Sequence, residues 1–376
     1  MAPGDHFPLH RIFPWQPFRL DALGLVTLLG AEEVSRAIGG LQHSLMTEYL
    51  PLMGAYLIAA NKFTDPLPGY QAYNITDGII PPSLNGPFTR WLDNHIYTNS
   101  RSKDNTTIVT WTLAPKADMD RVWRKHCVPL AIGIVLNSAL LVITILMADW
   151  YGIANSAGMI LSVAVRWYLL RETRLSLGEW ARKARSKLEA TPAQPEHLEV
   201  KKILVVPPSS SKIVVNKLQG ALIPCLVAPL ASTHHKSYRF ARFVGWFAFA
   251  VHIICIGQSS LVAQLIAVGL LICGTMGTIY RIGCDEGEFG QFLIAASYSL
   301  TQQRQDCFAD LDPTADEEKA LKTWSLLPLE VTHTAGWYDT YRAKKLAHAA
   351  NTTPAATAHR AASTSSKSMI VSQASA

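Results

Sequence analysis

The stretch VPLAIGIVLNSALLVITILMA, residues 128 to 148, contains no charged side chain. As a helix it is long enough to cross a hydrocarbon core of about 30 Å. That one run settles the solvent in which much of the chain must fold. Residues 151 to 170 follow after only Asp149 and Trp150 and read as a second span returning directly. From Phe243 to Tyr280 His252 is the only side chain that could carry charge, and the stretch is about twice one span length. Gly257, Gln258, Ser259 and Ser260 divide it into two helices. Composition agrees: 49% of residues are hydrophobic, only 16% are charged, and mean hydropathy is +0.14. The expected fold class is therefore an all-α polytopic membrane protein with four transmembrane helices in two tight hairpins.

Basic residues set the orientation. Between Arg171 and Arg242 there are 13 Lys or Arg against 5 Glu, and Arg121, Arg124 and Lys125 precede the first span, while the hairpin tips have none. Both termini and the central loop are expected in the cytosol, with the bilayer as partner and an endoplasmic-reticulum or other endomembrane location. Trp150 and Tyr151 at one level, and Trp123, Trp167 and Tyr168 at the other, suit interfacial belts.

The expected divisions are an N-terminal mixed or interfacial region 1–127, hairpin 128–170, a basic cytosolic loop 171–241, hairpin 242–282, a helical C-terminal region 283–349 and a disordered tail 350–376. Residues 22 to 31 and 50 to 60 are apolar but shorter than a span, and Asp5 and Asp21 argue against a signal peptide. Glu48 and Pro51 make residues 41 to 60 an amphipathic or interfacial helix. Residues 172 to 189 alternate basic and apolar positions, as a helix on a lipid surface or with a solvated face would. VKKILVV and KIVV flank PPSSS and predict a small two-stranded β-element. Thr314 and Glu317 predict a capping box, with Trp337 and Tyr338 beyond it.

Polar residues inside the spans are the candidate site. Asn155, Met159, Ser162 and Arg166 recur by four, three and four residues and share one helix face. Arg166 either snorkels to the interface or faces a partner. Asn137 and Thr144 share a face of the first span. Trp246 and Phe249 precede His252 in the third, and Gln258, Ser260 and Gln264 open the fourth. Convergence of these stripes would make an amide-lined, partly apolar chamber for a hydrophobic small molecule. His252, Gln258 and Arg166 are the catalytic candidates, and Asn137, Asn155, Ser162, Trp246 and Gln264 the substrate-binding ones. An intramembrane ionisable group such as His252 is a functional candidate by default, whereas amides and hydroxyls also serve as interhelical glue. Gly269, Cys273 and Gly277 predict a small-residue packing face.

Other chemistries are set aside. The six cysteines show no CxxC spacing, and no cofactor fingerprint occurs. DEGE at 285–288 reads as a solvated turn. The net charge of +6 belongs to the membrane-flanking loop, so no nucleic-acid partner is expected. Sequons at Asn74, Asn105 and Asn351 suit glycosylation only if those segments are lumenal, against the topology just given.

ADWYGIANSAGMILSVAVRWYLLRETR, RFVGWFAFAVHIICIGQSSLVAQL and DLDPTADEEKALKTWSLLP…GWYDTYR, within residues 118 to 345, resemble a family of largely uncharacterised multi-pass membrane proteins of filamentous fungi. Some of these are encoded in specialised-metabolite gene clusters. The resemblance implies a role in specialised-metabolite biosynthesis, binding a hydrophobic intermediate and catalysing its cofactor-free, Diels-Alder-type cyclisation by proximity. The alternative it leaves open is a non-catalytic scaffold for other pathway enzymes, or a small-molecule transporter.

Overall fold

The computed structural model describes residues 31–42, 48–81, 83–98, 106–115, 119–190, 195–208, 212–284, 287–301 and 304–348. Expectations for residues 1–30, Asn105, 285–286, Asn351 and the tail lie outside these. The helices are α1 (Ala31–Gly39), α2 (Ala55–Ala59), α3 (Gly86–Thr98), α4 (Met119–Leu146), α5 (Trp150–Glu189), α6 (Pro195–Leu198), α7 (Ile223–Val227), α8 (His235–Ile256), α9 (Leu261–Ile279), α10 (Arg304–Leu311) and α11 (Ala315–Thr323), with α12 over 335–348. The strands are β1 (Gln71–Asn74), β2 (Thr106–Leu113), β3 (Val200–Val206), β4 (Ile213–Gln219), β5 (Glu288–Phe289) and β6 (Leu293–Thr301).

Among the described residues four helices are long and apolar enough to cross a membrane: α4 from Cys127, α5, α8 and α9. They form two hairpins, α4–α5 and α8–α9, the second turning at Gly257–Ser260 as the sequence predicts. Only 28% of the apolar window of α4 and 22% of that of α8 is buried within the protein. Ile134, Val135, Val142, Phe243, Phe247 and Ile254 point outward, an arrangement that water would penalise and hydrocarbon would not. Exposed Trp150 and Tyr151 lie about 25 Å along α5 from Trp167, close to the thickness of a hydrocarbon core.

Asp149 ties the hairpin tips together. Ala148 enters the turn at φ 57°, Asp149 Oδ1 accepts from Gly152 N (2.8 Å) to cap α5, and Oδ2 accepts from Ser260 N (2.7 Å) at the head of α9. Its side chain is buried, as a carboxylate with two donors can be.

Two expectations need correction. The chain is mostly helical but not all-α, because a six-stranded sheet in the order β1-β3-β4-β2-β6-β5 stands at the far end of the bundle from the tips. The predicted pair β3–β4 lies inside it, but β1 and β2 come from the N-terminal region and β5 and β6 from the C-terminal one. Among the described strands only β2 and β4 pair in parallel. The segments expected as regions 1–127, 171–241 and 283–349 thus complete one another. Nor does α5 stop at 170. It continues for 40 residues, about 60 Å, and Leu177, Ala181 and Ala184 are buried against the sheet, so 172–189 is not a helix on a lipid surface.

The sheet is covered on both faces, with the period of two expected of strands. Ile203, Val205, Val214 and Leu218 join α5 and the α3 aromatics, where Trp91 lies 4.7 Å from Trp111 between ring centroids. Leu204, Ile213 and Val215 pack with Phe308, Leu311, Leu321, Tyr338 and Tyr341 on the other side. The capping box forms, and Glu317 also accepts from Lys202 Nζ (2.8 Å) and Thr76 Oγ1 (2.8 Å), fastening α11 to the sheet. Burial opposes ionisation of Glu317, but the bonds from Lys202, the Thr314 amide and Thr76 outweigh it and hold the carboxyl below its usual range.

Candidate functional site

A segment from Glu48 to Ala60 fills the sheet end of the bundle. It is neither amphipathic nor interfacial as expected: Leu50, Leu52, Met53, Ile58 and Ala59 are all buried. Its backbone would be costly there without partners, and all four long helices supply them. Asn137 of α4 donates to Tyr49 O (3.2 Å), Arg166 of α5 donates to Leu50 O, Met53 N donates to Thr275 Oγ1 of α9 (3.0 Å), and Arg242 of α8 donates to Ala59 O (2.9 Å) and Ala60 O (3.1 Å). Close passage needs bare helix backbone. A Cβ on Gly133 would lie 2.6 Å from Tyr49 O, and one on Gly274 would lie 2.4 Å from Pro51 O. The packing face of α9 is accordingly Gly274, Thr275, Gly277 and Thr278, while Gly269 and Cys273 of the predicted stripe face outward.

This explains the guanidinium inside a lipid-like span. Arg166 is 1% exposed and does not snorkel; it turns inward to hold the Leu50 carbonyl. Two turns further along the same face, Arg174 pairs with Glu48 (2.7 Å) and donates to Leu41 O and Gln42 O (both 3.3 Å). Both partners of that ion pair are buried, so each compensates the desolvation of the other.

Of the residues expected to converge, Asn155 and His252 meet. Asn155 Oδ1 lies 2.6 Å from His252 Nδ1 in the α5–α8 interface, and both side chains are buried. With the amide oxygen accepting, Nδ1 carries the proton. His252 Nε2 has no hydrogen-bond partner among the described residues. The others disperse. Gln258 is exposed at a hairpin tip, Gln264 donates to Ser259 O (2.9 Å) beside that tip, and Trp246 is 44% exposed on the outer face. Ser162 is half-buried, and Thr144 donates to Leu141 O (2.8 Å) within its own helix. Arg166, His252 and Gln258 therefore do not share one chamber. Asn74 is buried in β1 with its Nδ2 donating to Asp77 (2.7 Å).

A concavity lies instead on the flank of the bundle, between α4 and α5. It encloses about 870 Å³. Leu130, Gly133, Ile134, Asn137 and Ser138 recur at helical spacing on α4, and Ile160, Val163, Ala164, Trp167, Arg171 and Arg174 do so on α5. Glu48 and Tyr49 form the inner wall, and Gln291 and Phe292 of the β5–β6 turn close the sheet end. That turn has Gly290 at φ 61° and Gln291 at φ 72°, the positive pair of a tight hairpin. A Cβ on Gly290 would meet Leu177 at 2.2 Å, so α5 can approach there only against glycine. The phenol of Tyr49 is pushed up to about 12 by burial and by the Glu48 carboxylate, so it stays a neutral donor.

The groove is thus charged toward the sheet, where Glu48, Arg171 and Arg174 lie, while toward the tips its apolar walls carry Asn137 and Ser138. Of the candidates read from sequence it contains Asn137 alone; Glu48, Tyr49, Trp167, Arg171, Arg174, Gln291 and Phe292 went unassigned. A signal for part of this set was present, because Arg174 extends the Arg166 stripe by two turns and Trp167 and Arg171 are one turn apart. No known protein family, curated protein or solved structure matches the chain.

Proposed function

We propose that this protein sits in an endomembrane with its sheet in the cytosol and binds, in the α4–α5 groove, an apolar small molecule bearing one polar end. The observation that carries this reading is the groove itself: about 870 Å³, within the range of small-molecule sites, open along the lipid-facing flank, with its charged groups Glu48, Arg171 and Arg174 gathered at the sheet end. A ligand dissolved in the bilayer would enter sideways without crossing water. The basic residues flanking the sheet side support the orientation.

The fungal resemblance points to an intermediate of specialised metabolism. A ring closure there would draw on confinement of a folded chain, with the Tyr49 phenol as a donor. Passage of solute through the bundle centre is disfavoured, since residues 48–60 occupy its sheet end. Docking of other pathway enzymes would fall to the sheet module.

The test is extraction of the full-length protein in mild detergent and mass spectrometry of what copurifies, beside Ala164→Trp, which places an indole in the groove. The reading expects one enriched apolar species in the wild type and its loss in the variant. Identical small-molecule profiles would sink it and leave the scaffold reading. Disruption of the gene in its host then separates binding from conversion, through accumulation of an uncyclised precursor.

A further inference from the structure

We infer that the polar end of the groove selects a single-chain amphiphile with an anionic head, a carboxylate or phosphate, and that Arg171 is the group that grips it. This rests on the binding reading above and adds the chemistry of the head.

The charges that line the groove set the chemistry of the head. Among the described residues lining the groove, three are charged at neutral pH: Glu48, Arg171 and Arg174. Glu48 and Arg174 are engaged with each other at 2.7 Å and buried. Arg171 is exposed at the rim, with its guanidinium carbon 5.4 Å from the centre of the Trp167 ring. It has no ion pair or hydrogen bond among the described residues. The polar end therefore carries one net positive charge, on a side chain steadied by an aromatic face and with its donors unspent. A guanidinium fork suits the two oxygens of a carboxylate or phosphate.

Position selects the tail. Arg171 lies one turn beyond Trp167, in the aromatic layer where lipid heads sit. From Arg171 the wall runs past Trp167, Ala164 and Val163 to Ile160, about 16 Å along α5, facing Ile134 and Leu130. One extended tail lies along this single lane with its head at Arg171.

The experiment uses full-length protein in phosphatidylcholine nanodiscs, saturated with tritiated myristate and competed with unlabelled myristate, tetradecyl phosphate or tetradecanol. Both anions are expected to compete at least about tenfold better than the alcohol. Arg171→Gln should reduce that preference to within about twofold, and Arg171→Lys should keep part of it, as a point charge without the fork. Ala164→Trp should abolish saturable binding. Alcohol competing as well as myristate, with Ala164→Trp still blocking both, would overturn the head assignment and leave the groove reading standing. Binding indifferent to Ala164→Trp, or no saturable binding of any probe, would remove the groove reading and this inference with it. Loss of myristate binding on adding phosphatidylglycerol to the discs would make a two-chain membrane lipid the occupant and overturn the single-chain assignment.

Discussion

Removing the carboxylate of Asp149 should loosen the two hairpins from each other, and the amount can be worked from its two bonds. In Asp149→Asn the side-chain oxygen can still cap α5 at Gly152 N, but the amide nitrogen cannot accept from Ser260 N. The loss is one buried hydrogen bond to a charged acceptor, about 1.5–3 kcal/mol. Asp149→Ala forfeits that bond and the helix cap as well, a further 1 kcal/mol or so. The pair of variants should therefore rank wild type, Asn, Ala, with Ala destabilised by about 2.5–4 kcal/mol. The assay is reversible unfolding in mixed micelles, followed by far-ultraviolet dichroism, with alkylation of Cys255 near the tip of α8 as a local probe. Asn and Ala of equal stability would refute the division of roles between the two oxygens. Losses below about 0.5 kcal/mol in both would refute the latch altogether.

Arg166→Gln should leave the protein inserted but raise amide exchange in residues 49–60 about tenfold or more, since a charged donor to a buried carbonyl is worth about 1.5–3 kcal/mol; unchanged exchange with lost ligand conversion would return Arg166 to a catalytic role. Asn155→Ala should cost about 1–2 kcal/mol and couple to His252→Ala in a double-mutant cycle, and strict additivity would count against their hydrogen bond. Because the carboxyl of Glu317 is held below its usual range, its contribution is fully present above the unfolded value of about 4.3 and is lost as pH falls through the lower folded value. Limited proteolysis of residues 304–348 should therefore accelerate on acidification in the wild type and do so less in Glu317→Gln; equal acid sensitivity would show that another group controls that face.

The spans were legible because each signals by itself: a charge-free run of span length needs no knowledge of its neighbours. The β3–β4 pair was legible for the same reason, being local, with its turn between the strands. The sheet was not, because β1 and β2 pair with strands far off in sequence, and TTIVTWTL, β-branched as it is, names no partner and was not assigned as a strand. The surface helix was misread because a buried face of Leu177, Ala181 and Ala184 beside exposed Arg and Lys gives the same periodicity whether lipid or a sheet covers it. Arg166 and His252 were singled out as residues lipid would reject, and both are buried inside the protein. What accepted them was not readable, for the Leu50 carbonyl belongs to backbone and backbone has no letter in the sequence. The groove was missed because its polar end is assembled from α4, α5, the 48–49 segment and a hairpin turn near residue 291.

The uninterrupted course of α5 has a mechanical consequence. A helix that caps the hairpin at Asp149, walls the groove from Ile160 to Arg174 and carries the sheet at Ala181 is one stiff rod across three environments. Tilt imposed at one end is delivered to the other as displacement proportional to lever length, and the Phe292 floor moves with it because it rests on Gly178 of that rod. Displacement of the hairpin tips is thereby delivered to the groove wall and to the sheet together.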